Sequence, residues 1–79
     1  MKVQIVIMLK SGVLDPQGKA MQQSLHHLGF GGVQAVRQGK LIELDVAQGT
    51  SKEQVKEMCE KLLANTVIES YRIDMGEAA

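Results

Sequence analysis

Cysteine and proline each occur once in the 79 residues, tryptophan is absent, and Phe30 and Tyr71 are the only aromatic residues. The lone Cys59 has no partner for an internal disulfide and cannot supply the paired thiolates that soft-metal carriers use. Excess charge of one sign is also missing, because nine basic residues balance nine acidic ones. The two signs are interspersed, so no field gathers phosphate backbones or an anionic bilayer, and neither nucleic acid nor membrane is expected as a partner. No apolar run reaches the roughly eighteen residues that a spanning helix needs. Met1-Lys2 ahead of Val3 to Leu9 has the outline of a signal peptide, but Gln4 interrupts it and Lys10 closes it without a small-residue cleavage site. A cytoplasmic protein is expected.

What is present is ordinary for a globular chain: 44% hydrophobic and 23% charged residues. The length allows one domain over residues 1–79, and a chain this small buries only about 60% of its unfolded surface. Burial at about 25 cal/mol per Å² then barely offsets the roughly 1.5 kcal/mol lost in ordering each residue. With no disulfide and no evident metal site, oligomerisation is the remaining common device, and a homo-oligomer is expected.

Val3, Ile5, Ile7 and Leu9 alternate with Gln4, Val6, Met8 and Lys10, the period of a strand. Val6 and Met8 give its second face an apolar character that a partner would cover. Asp15-Pro16 reads as a helix cap followed by a first-turn proline, and Met21, Leu25 and Leu28 form an apolar stripe that ends at Gly29. The helix is predicted over Pro16 to Leu28. Gly18 in its first turn costs roughly 1 kcal/mol against alanine, which points to a close backbone approach by a neighbouring element or a ligand.

Beyond Gly29-Phe30-Gly31-Gly32, residues Val33 to Gln38 and Leu41 to Val46 read as two strands of a hairpin turning at Gly39-Lys40, with Ile42, Leu44 and Val46 facing the core. Ser51 and Gln54 are spaced for a capping box, with Thr50 and Glu53 as the alternative register. Val55, Met58, Cys59, Leu62 and Leu63 make the apolar face of a second helix, on which Glu57 and Lys61 form a favourable pair and Asn65 offers a left-handed cap. Val67 to Met75 supplies a last strand, and the tail from Gly76 is expected to fray. The order strand, helix, strand, strand, helix, strand predicts an α+β fold. Its form is a single-domain, two-layer, ferredoxin-like βαββαβ sandwich with two helices on an antiparallel sheet.

Catalytic groups are few, and each has a structural role to fill. Cys59 belongs to an apolar stripe, where thiols are buried and inert. His26 and His27 are neighbours that project about 100° apart on a helix, too divergent to chelate one metal. The glycine-rich stretch at 29–32 follows a helix, whereas a phosphate cradle precedes one. Asp15 reads as a cap rather than a catalytic carboxylate, and Arg37 with Lys40 as exposed charges able to grip an anion or an acidic partner. The segment Lys40-Leu41-Ile42-Glu43-Leu44-Asp45 lacks the aromatics on which RNA-recognition domains stack bases. A module that works through its surfaces is left. The alternative is a ferredoxin-like regulatory module binding a small ligand.

Four blocks of the sequence resemble the PurS family: Leu14-Asp15-Pro16-Gln17-Gly18, Leu28-Gly29-Phe30, Val36-Arg37-Gln38-Gly39-Lys40, and Leu62-Leu63-Ala64-Asn65-Thr66-Val67-Ile68-Glu69. Thr66 stands where many members carry proline. The resemblance implies the non-catalytic small subunit of phosphoribosylformylglycinamidine (FGAM) synthase, an ATP-dependent ligase of purine biosynthesis with glutamine as amide donor. It implies that PurQ releases ammonia from glutamine and that PurL, using ATP and magnesium, amidates formylglycinamide ribonucleotide. The subunit itself is then expected to hold no cofactor, metal or catalytic residue, and to bridge PurL and PurQ as a homodimer or a dimer of dimers. Asp15, Gln17 and Gly18 at the helix start, with Arg37 and Lys40, are the candidate subunit-interface residues, being signature positions without an evident core duty.

Overall fold

The computed structural model describes residues 1–76. Strand β1 (Lys2–Leu9) is the centre of a three-stranded antiparallel sheet, flanked by β2 (Gly39–Asp45) and β3 (Glu69–Asp74). Register follows the alternation in β1. Val3, Ile5 and Ile7 share one face with Leu44, Ile42 and Lys40 of β2, and Ile5 and Ile7 also with Ile73 and Tyr71 of β3. Helix α2 (Lys52–Met58) covers that face, so Val3, Ile5, Ile7, Val55, Cys59 and Ala64 form the core, with Ile42, Leu44 and Val46 partly buried against it. The second face stays open, and Val6 and Met8 lie half-buried there beside the exposed Leu41.

The α+β class with two helices and an antiparallel sheet is as expected, but Val33 to Gln38 is not a strand and Gly39-Lys40 is not a turn. A two-residue hairpin turn of the favoured kind needs a residue at positive φ. Positive φ is confined to Gly12, Gly29, Gly49 and Gly76 among the described residues. Gly39 and Lys40 instead open β2, paired with Met8 and Ile7. The stretch before them is a strap without regular secondary structure, two of whose carbonyls are taken by side chains of helix α1 (Pro16–His27). The Gln22 side-chain amide donates to the carbonyls of Val33 (3.4 Å) and Gln34 (2.8 Å), and His26 Nε2 lies 2.7 Å from the Val33 carbonyl.

Helix α1 forms where its signals place it: Asp15 caps it, Pro16 opens it, and Gly29 at φ +98° follows its last turn. It packs along the strap rather than across the sheet, and Gly18 is its only buried residue. Helix and strap together make an arm. The chain therefore measures 48 × 29 × 13 Å with a radius of gyration of 16.0 Å. A compact chain of this length would have a radius of about 12 Å.

The capping box at α2 is present as read, with Gln54 N–H donating to Ser51 Oγ (3.1 Å) and Ser51 N–H to Gln54 Oε1 (2.9 Å). The end of this helix differs from expectation. Its hydrogen bonding widens into a π-helical turn at Cys59–Leu63, where Ala64 N–H donates to the Cys59 carbonyl (3.0 Å). The wider turn rotates the later positions: Leu62 turns outward, 82% exposed, and Ala64 turns in. Asn65 does not adopt the left-handed cap; Ala64 ends the helix in extended conformation at φ −121°. Asn65 Oδ1 instead accepts from Val67 N–H (3.2 Å), a local turn that delays β3 to Glu69. The expected Glu57–Lys61 pair is in place at 2.6 Å. The tail expected to fray, 77–79, lies outside the described residues.

Candidate assembly site

All five residues singled out in the sequence meet at the junction of arm and sheet. Asp15 is at its centre. One carboxylate oxygen accepts from the Gly18 N–H (2.9 Å), the expected cap, while the other accepts from the Gln38 N–H (3.2 Å), 23 residues along the chain. These two amide donors, the Gly18 bond foremost, hold the Asp15 carboxyl below the ordinary carboxylate range. Gly18 is buried because the strap crosses it: a Cβ there would stand 2.5 Å from the Val36 carbonyl oxygen. The close approach inferred from a glycine in a helical first turn is thus the protein's own backbone. Arg37, on the same strap, donates from Nη2 to the Leu9 carbonyl at the end of β1.

Between the start of α1 and the sheet lies an open cleft of about 490 Å³, floored by Ile7, Leu9 and Pro16 and walled by Asp15, Gln17, Gln38, Gly39, Lys40 and Glu69. Lys40 comes here as a strand residue on the inner face. Its ammonium is 4.0 Å from Glu69 Oε2, and the other oxygen of Glu69 accepts from the Asn65 N–H (2.7 Å). Gln17 lines the mouth. Sequence reasoning did not single out Glu69, Gln38 or Gln22, and it weighed His26 only as a metal ligand. Gln38 contributes a backbone amide, to which no side-chain pattern points, and Gln22 and His26 meet the carbonyls of 33 and 34 only because the strap lies beside the helix. Glu69 was visible only as the last member of a signature block.

Besides the open sheet face, two further apolar surfaces are uncovered among the described residues. Leu14, Leu28 and Phe30 are exposed along the arm, Leu28 to 72%. Beside α2, a second and more apolar groove of about 580 Å³ runs between Leu44 of β2 and Met58, Leu62 and Leu63. No residue of helix α1 lines this groove.

Burial pushes the Cys59 thiol upward, away from the thiolate a nucleophile requires. Burial likewise raises Tyr71, with a contribution from Glu60. Among the described residues no three His, Cys, Asp or Glu side chains converge as metal ligands, and no helix is long and apolar enough to cross a membrane. Fold and junction together define a small α+β module, its junction polar groups engaged in setting its own arm and its apolar groups exposed along the arm and beside α2.

The family described as PurS, phosphoribosylformylglycinamidine (FGAM) synthase, matches residues 2–77. A phosphoribosylformylglycinamidine synthase subunit PurS from Bacillus subtilis is 51% identical over 96% of this chain and 93% of its own. The corresponding subunit from Methanocaldococcus jannaschii is 45% identical over 91% and 90%. In solved structures, B. subtilis PurS superposes with a TM-score of 0.87 at 51% identity, covering 96% of this chain and 98% of that one. A chain in the structure of PurLQS from Thermotoga maritima does so at 0.79 and 35% identity, covering 92% and 93%. The chain belongs to the PurS family, the PurS subunits of FGAM synthase in purine biosynthesis.

Proposed function

We propose that the chain works by position: as a dimer it bridges the PurQ glutaminase and the PurL synthetase of FGAM synthase in the cytoplasm, leaving ATP, magnesium and all bond making to PurL. Ammonia released into water is diluted and largely protonated, so enclosing donor and acceptor sites in one assembly raises its effective concentration at the second. The observation that carries this reading is the arm. A helix of 12 residues with no buried side chain is marginal alone. Its Met21, Leu25 and Leu28 stripe matches in character the groove beside α2 that the same chain leaves open. A second copy fills both needs reciprocally, as a two-fold contact does. The match of the fold to a chain of PurLQS supports the further step to the larger subunits.

The test is glutamine-dependent amidation of formylglycinamide ribonucleotide by purified PurL and PurQ, with ATP and magnesium, with and without this chain. Activity only when the chain is present is the expected result. Activity indifferent to it would overturn the bridging role and favour a ligand-binding regulatory module. Sedimentation of the isolated chain should show a dimer.

A further inference from the structure

An ordinary helix cap uses one acceptor on its own first turn. Asp15 does more, because its second oxygen reaches the Gln38 N–H of the strap immediately before β2. Two further ties act across the same junction. The Gly18 backbone lies against the Val36 carbonyl, and the Arg37 guanidinium fastens the strap to the Leu9 carbonyl as β1 ends. The arm is thereby fixed to the sheet at one end only. At 1.5 Å per residue α1 is a lever of about 18 Å, so a 20° change at the junction displaces its far end by about 6 Å. That is more than half the spacing of packed helices, about 8–10 Å, and would take Leu28 out of any groove it fills.

We propose that Asp15 is a positioning residue: its bond to the Gln38 amide sets the angle of the arm to the sheet and so determines whether the arm can dock. The proposal rests on the arm being the association surface, and its test separates the two. Serine at position 15 keeps a cap for Gly18, but its single short hydroxyl cannot also hold Gln38. Asp15→Ala removes both bonds.

Spin labels at Gln23→Cys on α1 and Arg72→Cys on the open sheet face, diluted with unlabelled protein, report the intrachain distance by pulsed electron resonance, Cys59 being buried. Asp15→Ser should retain the helical circular dichroism of the parent, broaden or shift this distance, and weaken dimerisation at least tenfold by sedimentation. Asp15→Ala should in addition lose helical signal. An unchanged distance distribution in Asp15→Ser overturns the positioning role whatever the oligomeric state. A shifted distance with unchanged dimerisation upholds the junction and overturns the arm as the association surface.

Discussion

The carbonyl oxygen of Val36 occupies the space that a side chain at Gly18 would need, 2.5 Å from the position of its Cβ. Because the obstacle is backbone, no side-chain rotation relieves it, and Gly18→Ala must push strap and helix apart. Alanine gains up to about 1 kcal/mol in helix propensity. Overpacking against a fixed neighbour costs about 1–3 kcal/mol, so net destabilisation is expected. Thermal unfolding should show a lowered midpoint in Gly18→Ala, and sedimentation a weakened dimer.

Leu28 and Leu62 are 72% and 82% exposed in the single chain. An aspartate at either position should cost the monomer no more than about 1 kcal/mol, chiefly because a negative charge is placed at the C-terminal end of a helix. In a dimer with α1 seated beside α2, the same substitution buries an unpaired carboxylate, and association should fall steeply. Light scattering of Leu28→Asp and Leu62→Asp is expected to show monomers with the parent's circular dichroism. Retained dimers in both variants would place the interface elsewhere, the open sheet face of Val6, Met8 and Leu41 being the next surface to test.

Local signals and the core were legible because they depend on neighbours in sequence. The Asp15 cap, the Ser51–Gln54 box, the glycine stop at Gly29 and the alternation of β1 are all decided within a few residues. Val33 to Gln38 reads as a strand because its β-like composition is real, but the carbonyls of Val33 and Gln34 find Gln22 and His26 rather than a strand. Nothing local reveals that choice. Leu62 was misplaced for a similar reason: a 3.6-residue period cannot foresee the extra residue that the turn at Cys59 inserts. The candidate site was legible as a set of residues but not as a place. Lys40 was expected in a turn and is a strand residue, and its partner Glu69 arrives from the far end of the chain.

Lys40 and Glu69 face each other at 4.0 Å with the ammonium about half exposed. Such pairs contribute about 0–1 kcal/mol, so Lys40→Glu should cost the fold little while placing two carboxylates on one wall of the cleft. Assembly with the larger subunits should weaken, and the swap Lys40→Glu with Glu69→Lys should restore it if the pair matters only to the cleft's own shape. Because the swap also removes the Glu69 oxygen that accepts from the Asn65 N–H, its failure to restore pull-down of PurL and PurQ would mean that the larger subunits contact Lys40 itself only where Glu69→Lys alone still assembles. Arg37→Glu removes the tie to Leu9 and should weaken assembly with no such rescue.

Acid gives the last test. The Asp15 carboxylate is held below its ordinary range by the Gly18 and Gln38 amides, so its folded value lies under its unfolded one. For a group shifted in that direction the stabilisation is complete above the unfolded value. It is lost as pH falls through the ordinary carboxylate range toward the lower folded value. The parent protein should therefore lose arm order, and dimerisation with it, in that acid window and not at neutral pH. Asp15→Ser has no carboxyl to titrate at this place and should show a flatter profile over the same window. Comparing the two proteins by sedimentation and circular dichroism between pH 7 and about pH 3 cancels the other carboxylates, which both share. An equally steep acid transition in Asp15→Ser would show that carboxylates other than the one joining helix to strap govern the loss.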